Sequence, residues 1–158
     1  MMPALEVLVA SSELESRLHL RDILTKLGID PICLPTIRDC HESMAQRQIG
    51  LIFCDTHLAD GTYIDLLSFC RGREWKPRVV VTSRLADWDE FKEALRRGAF
   101  DLIASPCRPT DVEWMLIQAK RDERSRQKTS DLLSLPALRN TAAARAQDAT
   151  LGATDFPM

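Results

Sequence analysis

Five short apolar runs, rich in β-branched residues, recur along the chain, and each is followed by a stretch with helical spacing. The runs are Leu5–Ala10, Ile29–Leu34, Leu51–Cys54, Arg78–Thr82 and Phe100–Ala104. None of them alternates polar with apolar residues. A strand of that kind needs cover on both faces, which points to a parallel sheet between two layers of helices. The intervening segments supply the helices. Ser11-Ser12 offers an N-cap, with Glu15 at capping-box spacing from Ser12, ahead of Leu14, Leu18, Leu20, Leu24 and Leu27; Gly28 closes that helix. Thr36–Gln48 reads as a polar helix with Ile37, Cys40, Met44 and Ala45 inward, and Tyr63–Arg71 as one with Ile64 and Leu67 inward. Asp87–Arg97 carries Trp88, Phe91, Ala94 and Leu95 on one face and stops at Gly98. Thr110 caps a last helix with a stripe of Val112, Met115, Leu116 and Ala119. The expected architecture is a (βα)₅ doubly wound parallel sheet, a three-layer α/β sandwich with right-handed crossovers. Its site lies beyond the C-terminal ends of the strands.

Composition narrows the function. The 158 residues carry 21 Lys+Arg and 23 Asp+Glu, for a net charge of −2. That balance excludes a strongly basic nucleic-acid protein and a highly charged disordered chain. No window is apolar for long enough to span a membrane, and Met1–Ala10 lacks the basic start of a signal peptide, so a cytoplasmic location is expected. Cys33, Cys40, Cys54, Cys70 and Cys107 are odd in number and widely spaced, and read as reduced, mostly buried thiols. After about Asp122 the apolar stripe gives way to the charged run Arg121–Lys128. Residues 1–124 are therefore expected to form the domain, and 125–158 a helix end with a disordered tail or linker. Leu132–Leu138 is the only apolar piece of that tail, and reads as a linker remnant or a docking peptide.

The residues just past the strands carry a family resemblance. Leu51–Leu67, L-I-F-C-D-T-H-L-A-D-G-T-Y-I-D-L-L, resembles the phosphoacceptor segment of a response-regulator receiver domain. Val79–Thr82 followed by Ser83 resembles that family's fourth strand with its hydroxyl residue. Gly98–Pro106 resembles the fifth-strand block that ends in Lys-Pro. The match covers roughly residues 5–122. It implies a flavodoxin-like fold and a role in two-component, phosphorelay signalling, with a histidine kinase or an output protein as partner. Asp55 then stands as phosphoacceptor and Thr82 as hydrogen-bond donor to the phosphoryl group. Mg2+ would be held by Asp55, by an acidic pair and by the backbone carbonyl of His57. Such phosphoryl transfer is mostly positioning and charge neutralisation, and Mg2+ needs carboxylate oxygens to stay.

The sequence departs from that pattern where the metal would be held. The acidic pair falls on Ser11 and Ser12, the lysine on Ser105 and the switch aromatic on Leu102. Glu13 is expected to point away from the pocket. Losing the carboxylates and the lysine together leaves one carboxylate lined by hydroxyls, a polar pocket that balances without metal. The expected function is a degenerate, pseudo-receiver module that acts through protein contact, with no enzyme activity beyond metal-assisted self-phosphorylation and dephosphorylation at Asp55. Two alternatives stand beside it: a receiver phosphorylated on Asp55 with Mg2+, and a small-anion sensor using the Ser-lined pocket. Trp88 and Trp114 are the interface candidates, on the face of the fourth helix, fifth strand and fifth helix that the family uses for dimers or output. His19, His41 and His57 show no ligand spacing, and no nucleotide-binding motif is present.

Overall fold

The computed structural model describes residues 4–133. The chain divides into two compact units, Met1–Lys120 and Arg121–Met158. The strands of the main sheet are β1 (Val7–Ala10), β2 (Ile32–Leu34), β3 (Leu51–Asp55), β6 (Arg78–Ser83) and β7 (Asp101–Ala104); β4 (His57–Leu58) and β5 (Gly61–Thr62) form a small hairpin. The helices are α1 (Leu14–Lys26), α2 (Ile37–Gln46), α3 (Tyr63–Arg71), α4 (Trp88–Arg96) and α5 (Pro109–Leu133). The sheet runs β2-β1-β3-β6-β7, and every neighbouring pair is parallel. This is the doubly wound parallel sheet expected from the apolar runs, in the flavodoxin-like form that the resemblance implies.

Alternate residues of each strand enter different cores. Leu8, Ala10, Ile52, Cys54, Val79 and Val81 face Ile37, Cys40 and Met44 of α2, Leu66, Leu67 and Cys70 of α3 and Ala94 of α4. Val7, Val9, Leu51, Phe53, Val80 and Ile103 face Leu20, Ile23 and Leu24 of α1 and Val112, Met115, Leu116 and Ala119 of α5. Both faces are buried, so neither tolerates a polar alternation. α1 and α4 end alike. Ile29 N–H donates to Leu24 O and Gly28 N–H to Thr25 O; Ala99 N–H donates to Ala94 O and Gly98 N–H to Leu95 O. These caps need a left-handed residue, and Gly28 (φ +84°) and Gly98 (φ +105°) supply it without steric cost.

Several expectations are corrected. Ser12 does not cap α1: the helix starts after Glu13, which makes no side-chain cap. The Ser12 hydroxyl donates instead to Pro35 O and accepts from Ala59 N–H, each at 2.7 Å. Leu14 and Leu18 lie on the outer side of α1 and are exposed; the inward row is Leu20, Ile23 and Leu24. β2 is shorter than the apolar run because Ile29 is used in the α1 cap. Ala45 is exposed. On α4 only Ala94 is buried, while Trp88 and Leu95 face outward. α5 starts at Pro109, a favoured first position, which puts Thr110 inside the first turn. It continues as helix to Leu133, through the charged run; residues 134–158, with most of the Leu132–Leu138 piece, lie outside the described residues.

The loop after β3 fastens α2. Asp60 accepts from Ile37 N–H (2.8 Å) and Arg38 N–H (3.0 Å), and Thr36 from Asp39 N–H (3.1 Å), so the first-turn donors of α2 are met from two directions. Thr62 and Asp65 form a capping box on α3. The Ile37 bond, more than any charge, holds the Asp60 carboxyl below its ordinary 3.8.

Two outcomes follow from this packing. Phe53 is fully buried at the centre of the sheet, and Phe53→Ala should cost about 3–5 kcal/mol in urea unfolding. Because the folded carboxyl of Asp60 is the stronger acid, its contribution is present above pH 3.8 and is lost as pH falls through the lowered value. Asp60→Asn should therefore be less stable at pH 7, with the difference from wild type closing on acidification, as read by denaturant titration at a series of pH values.

Candidate functional site

All five main strands point the same way, so their C-terminal ends share one edge. Asp55 ends β3, and the register pairs it with Thr82 on β6. Ala10 pairs with Cys54, which brings Ser11 beside Asp55 from the other side. Ser11 is held in place by its N–H to Leu34 O at 3.1 Å. The Ser11 hydroxyl donates to Asp55 Oδ2 and the Thr82 hydroxyl to Asp55 Oδ1, both at 2.5 Å. Ser11 and Thr82 are themselves buried, while Asp55 is half-buried. Each carboxylate oxygen thus has its own hydroxyl donor, so uncharged partners stabilise the carboxylate by hydrogen bonding.

Two cavities, of about 340 and 330 Å3, meet over Asp55. Both are lined by Glu13, Ser16, Asp55, Arg84 and Ser105. The first also reaches His19 and Cys107, and the second His57, Thr82, Ser83 and Glu90. Ser105 is tied to the sheet through its N–H to Ser83 O at 2.8 Å. Ser12 lines neither cavity; it fastens the loops beside them. Leu102 lies elsewhere, in a groove of about 430 Å3 with Trp88, Phe91 and Asp111. Trp88 and Trp114 are exposed, and Trp88 stacks on Phe91 with ring centroids 5.3 Å apart.

Glu13 corrects its expectation and leads to a residue that the sequence reading missed. It sits before α1 in extended conformation (φ −93°, ψ 123°), which turns its side chain over the pocket mouth instead of out along the first helical turn. There its carboxylate pairs with the Arg84 guanidinium. The loop that carries Arg84 is fixed from below. Glu90 Oε1 accepts from the Ser83 hydroxyl (2.5 Å) and from Ala86 N–H (3.0 Å), and Ala86 takes a left-handed φ of 48°. The signal was legible only in part: Asp87-Trp88-Asp89-Glu90 has cap spacing, and Asp87 does accept from Glu90 N–H, but the spacing says nothing about the side chain of Glu90 reaching back.

As a donor set for Mg2+ these residues do not fit. A hydroxyl that donates to Asp55 stands at Ser11, the second carboxylate at the mouth is already paired with a guanidinium, and Ser12 is committed to the loops. Among the described residues no group of three or more His, Cys, Asp or Glu is placed to hold a metal ion. The thiols offer no nucleophile, because burial pushes Cys107 and Cys40 up to about 12 and Cys70 up to about 11.

A doubly wound sheet with an aspartate ending its third long strand, and a hydroxyl opposite it on the next, defines a receiver-type domain. The chain has the fold of receiver domains, and its sequence is similar to that of response-regulator proteins. It is 34% identical over 87 residues to the regulatory protein LuxO of Vibrio cholerae, which covers 55% of this chain and 19% of LuxO. It is 25% identical over 101 residues to the response regulator protein PilR of Pseudomonas aeruginosa, 64% of this chain and 23% of PilR. The chain thus spans about a fifth of the length of the curated relatives it matches. In fold it is similar to the signal receiver domain of a LuxO repressor protein from Vibrio parahaemolyticus, with TM-score 0.74 and 15% identity, covering 80% of this chain and 98% of that one. No protein-family model matches the sequence. Receiver domains are generally non-enzymatic modules that interact with kinases and output domains. No helix among the described residues is long and apolar enough to cross a membrane.

Ser11→Ala should leave one Asp55 oxygen without its donor and cost about 1–3 kcal/mol at pH 7, and Thr82→Val should behave similarly. Urea unfolding of the two single variants and of the double variant checks both the magnitude and the coupling through the shared carboxylate.

Proposed function

We propose that this chain is a degenerate receiver module that transmits a signal through protein contact and does not depend on metal-assisted phosphorylation. The observation that carries the reading is the state of Asp55. Its two oxygens are bound by the Ser11 and Thr82 hydroxyls, under a mouth spanned by Glu13 and Arg84. A carboxylate attacks an anionic phosphoryl group only when the charge between them is neutralised. Here the fixed cation is already paired, and no acidic pair stands ready to bring another. Asp55 is then a relic of a phosphoacceptor, Thr82 the relic of its hydrogen-bond donor, and Ser105 stands at the lysine position.

The small-anion reading is weaker. Ser12 lies outside the pocket, the Ser11 hydroxyl already donates its hydrogen bond to Asp55, and Asp55 would repel an anion. Contact surfaces are better supported. The stacked Trp88 and Phe91 border the groove that contains Leu102, and Trp114 is exposed on α5. Aromatic side chains of this kind anchor protein interfaces. The partner is a histidine kinase, an output protein or a second copy bound through the face of α4, β7 and α5. On this reading the receiver spans residues 1–124 and the module works in the cytoplasm; most of the 125–158 segment lies outside the described residues.

The test is intact-mass spectrometry after incubation with acetyl phosphate and Mg2+, with Asp55→Asn as control. No adduct is expected. A gain of one phosphoryl mass in the wild type alone would overturn the reading and make the chain a phosphorylated switch.

A further inference from the structure

We propose that Arg84 is the resident cation of the Asp55 site, and that its guanidinium, seated on Glu13, makes the pocket indifferent to divalent metal. The inference rests on the degenerate-receiver reading and deepens it by naming the residue that does the metal's electrostatic work.

The charges around the mouth carry the argument. Four carboxylates line the two cavities: Asp55 from β3, Glu13 and Glu15 from the start of α1, and Glu90 from α4. Arg84 is the one Lys or Arg among the residues lining them. His19 also faces the first cavity, with Nε2 2.9 Å from Cys107 O. Arg17 approaches from behind, donating to Ser11 O at 2.6 Å, but lines neither cavity. Glu90 is occupied by Ser83 Oγ and Ala86 N–H. The charge left for a counter-ion belongs to Glu13, Glu15 and Asp55, and Arg84 meets that of Glu13 from a loop that Glu90 and Ser83 hold in position.

Such a guanidinium acts in two ways. It offsets the charge of one carboxylate, and it repels a second cation from the same volume. The pair itself is exposed, with 73% of the Arg84 side chain and 52% of the Glu13 side chain open to solvent, so it adds little to fold stability. Removing it should leave the domain folded while changing what the mouth attracts. Without Arg84, Glu13 and Asp55 are left as carboxylates lining the same open cavity, oxygen donors of the kind a hard divalent ion takes.

The experiment is isothermal titration of the full chain with Mn2+ and, separately, Mg2+. Wild type should show no saturable binding. Arg84→Ala should bind Mn2+ at least about tenfold more tightly than wild type. Arg84→Lys should restore indifference, and Glu13→Gln combined with Arg84→Ala should lose the gained binding. Equal binding by wild type and Arg84→Ala, whether tight or absent, would overturn the proposal, as would an Arg84→Lys variant that binds like Arg84→Ala. Acetyl phosphate labelling of the wild type distinguishes the two levels. An adduct on Asp55 with cation binding still governed by Arg84 would overturn the degenerate reading alone; no adduct with cation binding indifferent to Arg84 would overturn the role of Arg84 alone.

Discussion

The structure depends on covering a parallel sheet on both faces. Once Leu8, Ile52 and Val81 need one apolar layer and Val9, Phe53 and Val80 another, helices must lie on both sides. The chain must then cross over between successive strands, and all strand ends of one polarity collect at one edge. The meeting of Ser11, Asp55 and Thr82 is a product of that geometry. Ser11 follows β1, Asp55 ends β3 and Thr82 pairs with it on β6, at positions fixed by the strand register.

At that edge the problem becomes one of charge. A half-buried carboxylate needs a partner, and here it is served twice by neutral hydroxyls and flanked by an ion pair above. Both devices are local. A site that awaited a soluble ion would hold its carboxylates together at the cost of mutual repulsion. This one holds a guanidinium against one carboxylate and protons against the other. The exposed aromatic side chains lie elsewhere, in the stacked Trp88 and Phe91 and in Trp114.

The strands were legible because two-sided burial leaves an unbroken apolar mark on the sequence. Asp55, Thr82, Ser11 and Ser105 were legible for a related reason: they are the first polar residues after such marks. What could not be read depended on partners distant in sequence. Ser12 looked like an N-cap because capping is local, whereas its partners are at positions 35 and 59. Glu13 looked solvent-facing because a helical first turn would point it outward, but the residue precedes the helix. Arg84 carried no signal at all, since an arginine after a strand ordinarily reads as solvated surface. Leu14 and Leu18 misled in the opposite way, being leucines on the exposed side of α1.

The short connection between β3 and α3 has an unusual status among loops. Its Ala59 N–H is held by Ser12, its Asp60 supplies the opening donors of α2 with their acceptor, and its Thr62 starts α3. Surface connections generally absorb inserted or deleted residues at little cost. This one acts as a spacer of fixed length between three other segments. A single inserted residue would unseat them together, so length variation among descendants of this sequence should avoid the stretch between Asp55 and Tyr63 and accumulate elsewhere.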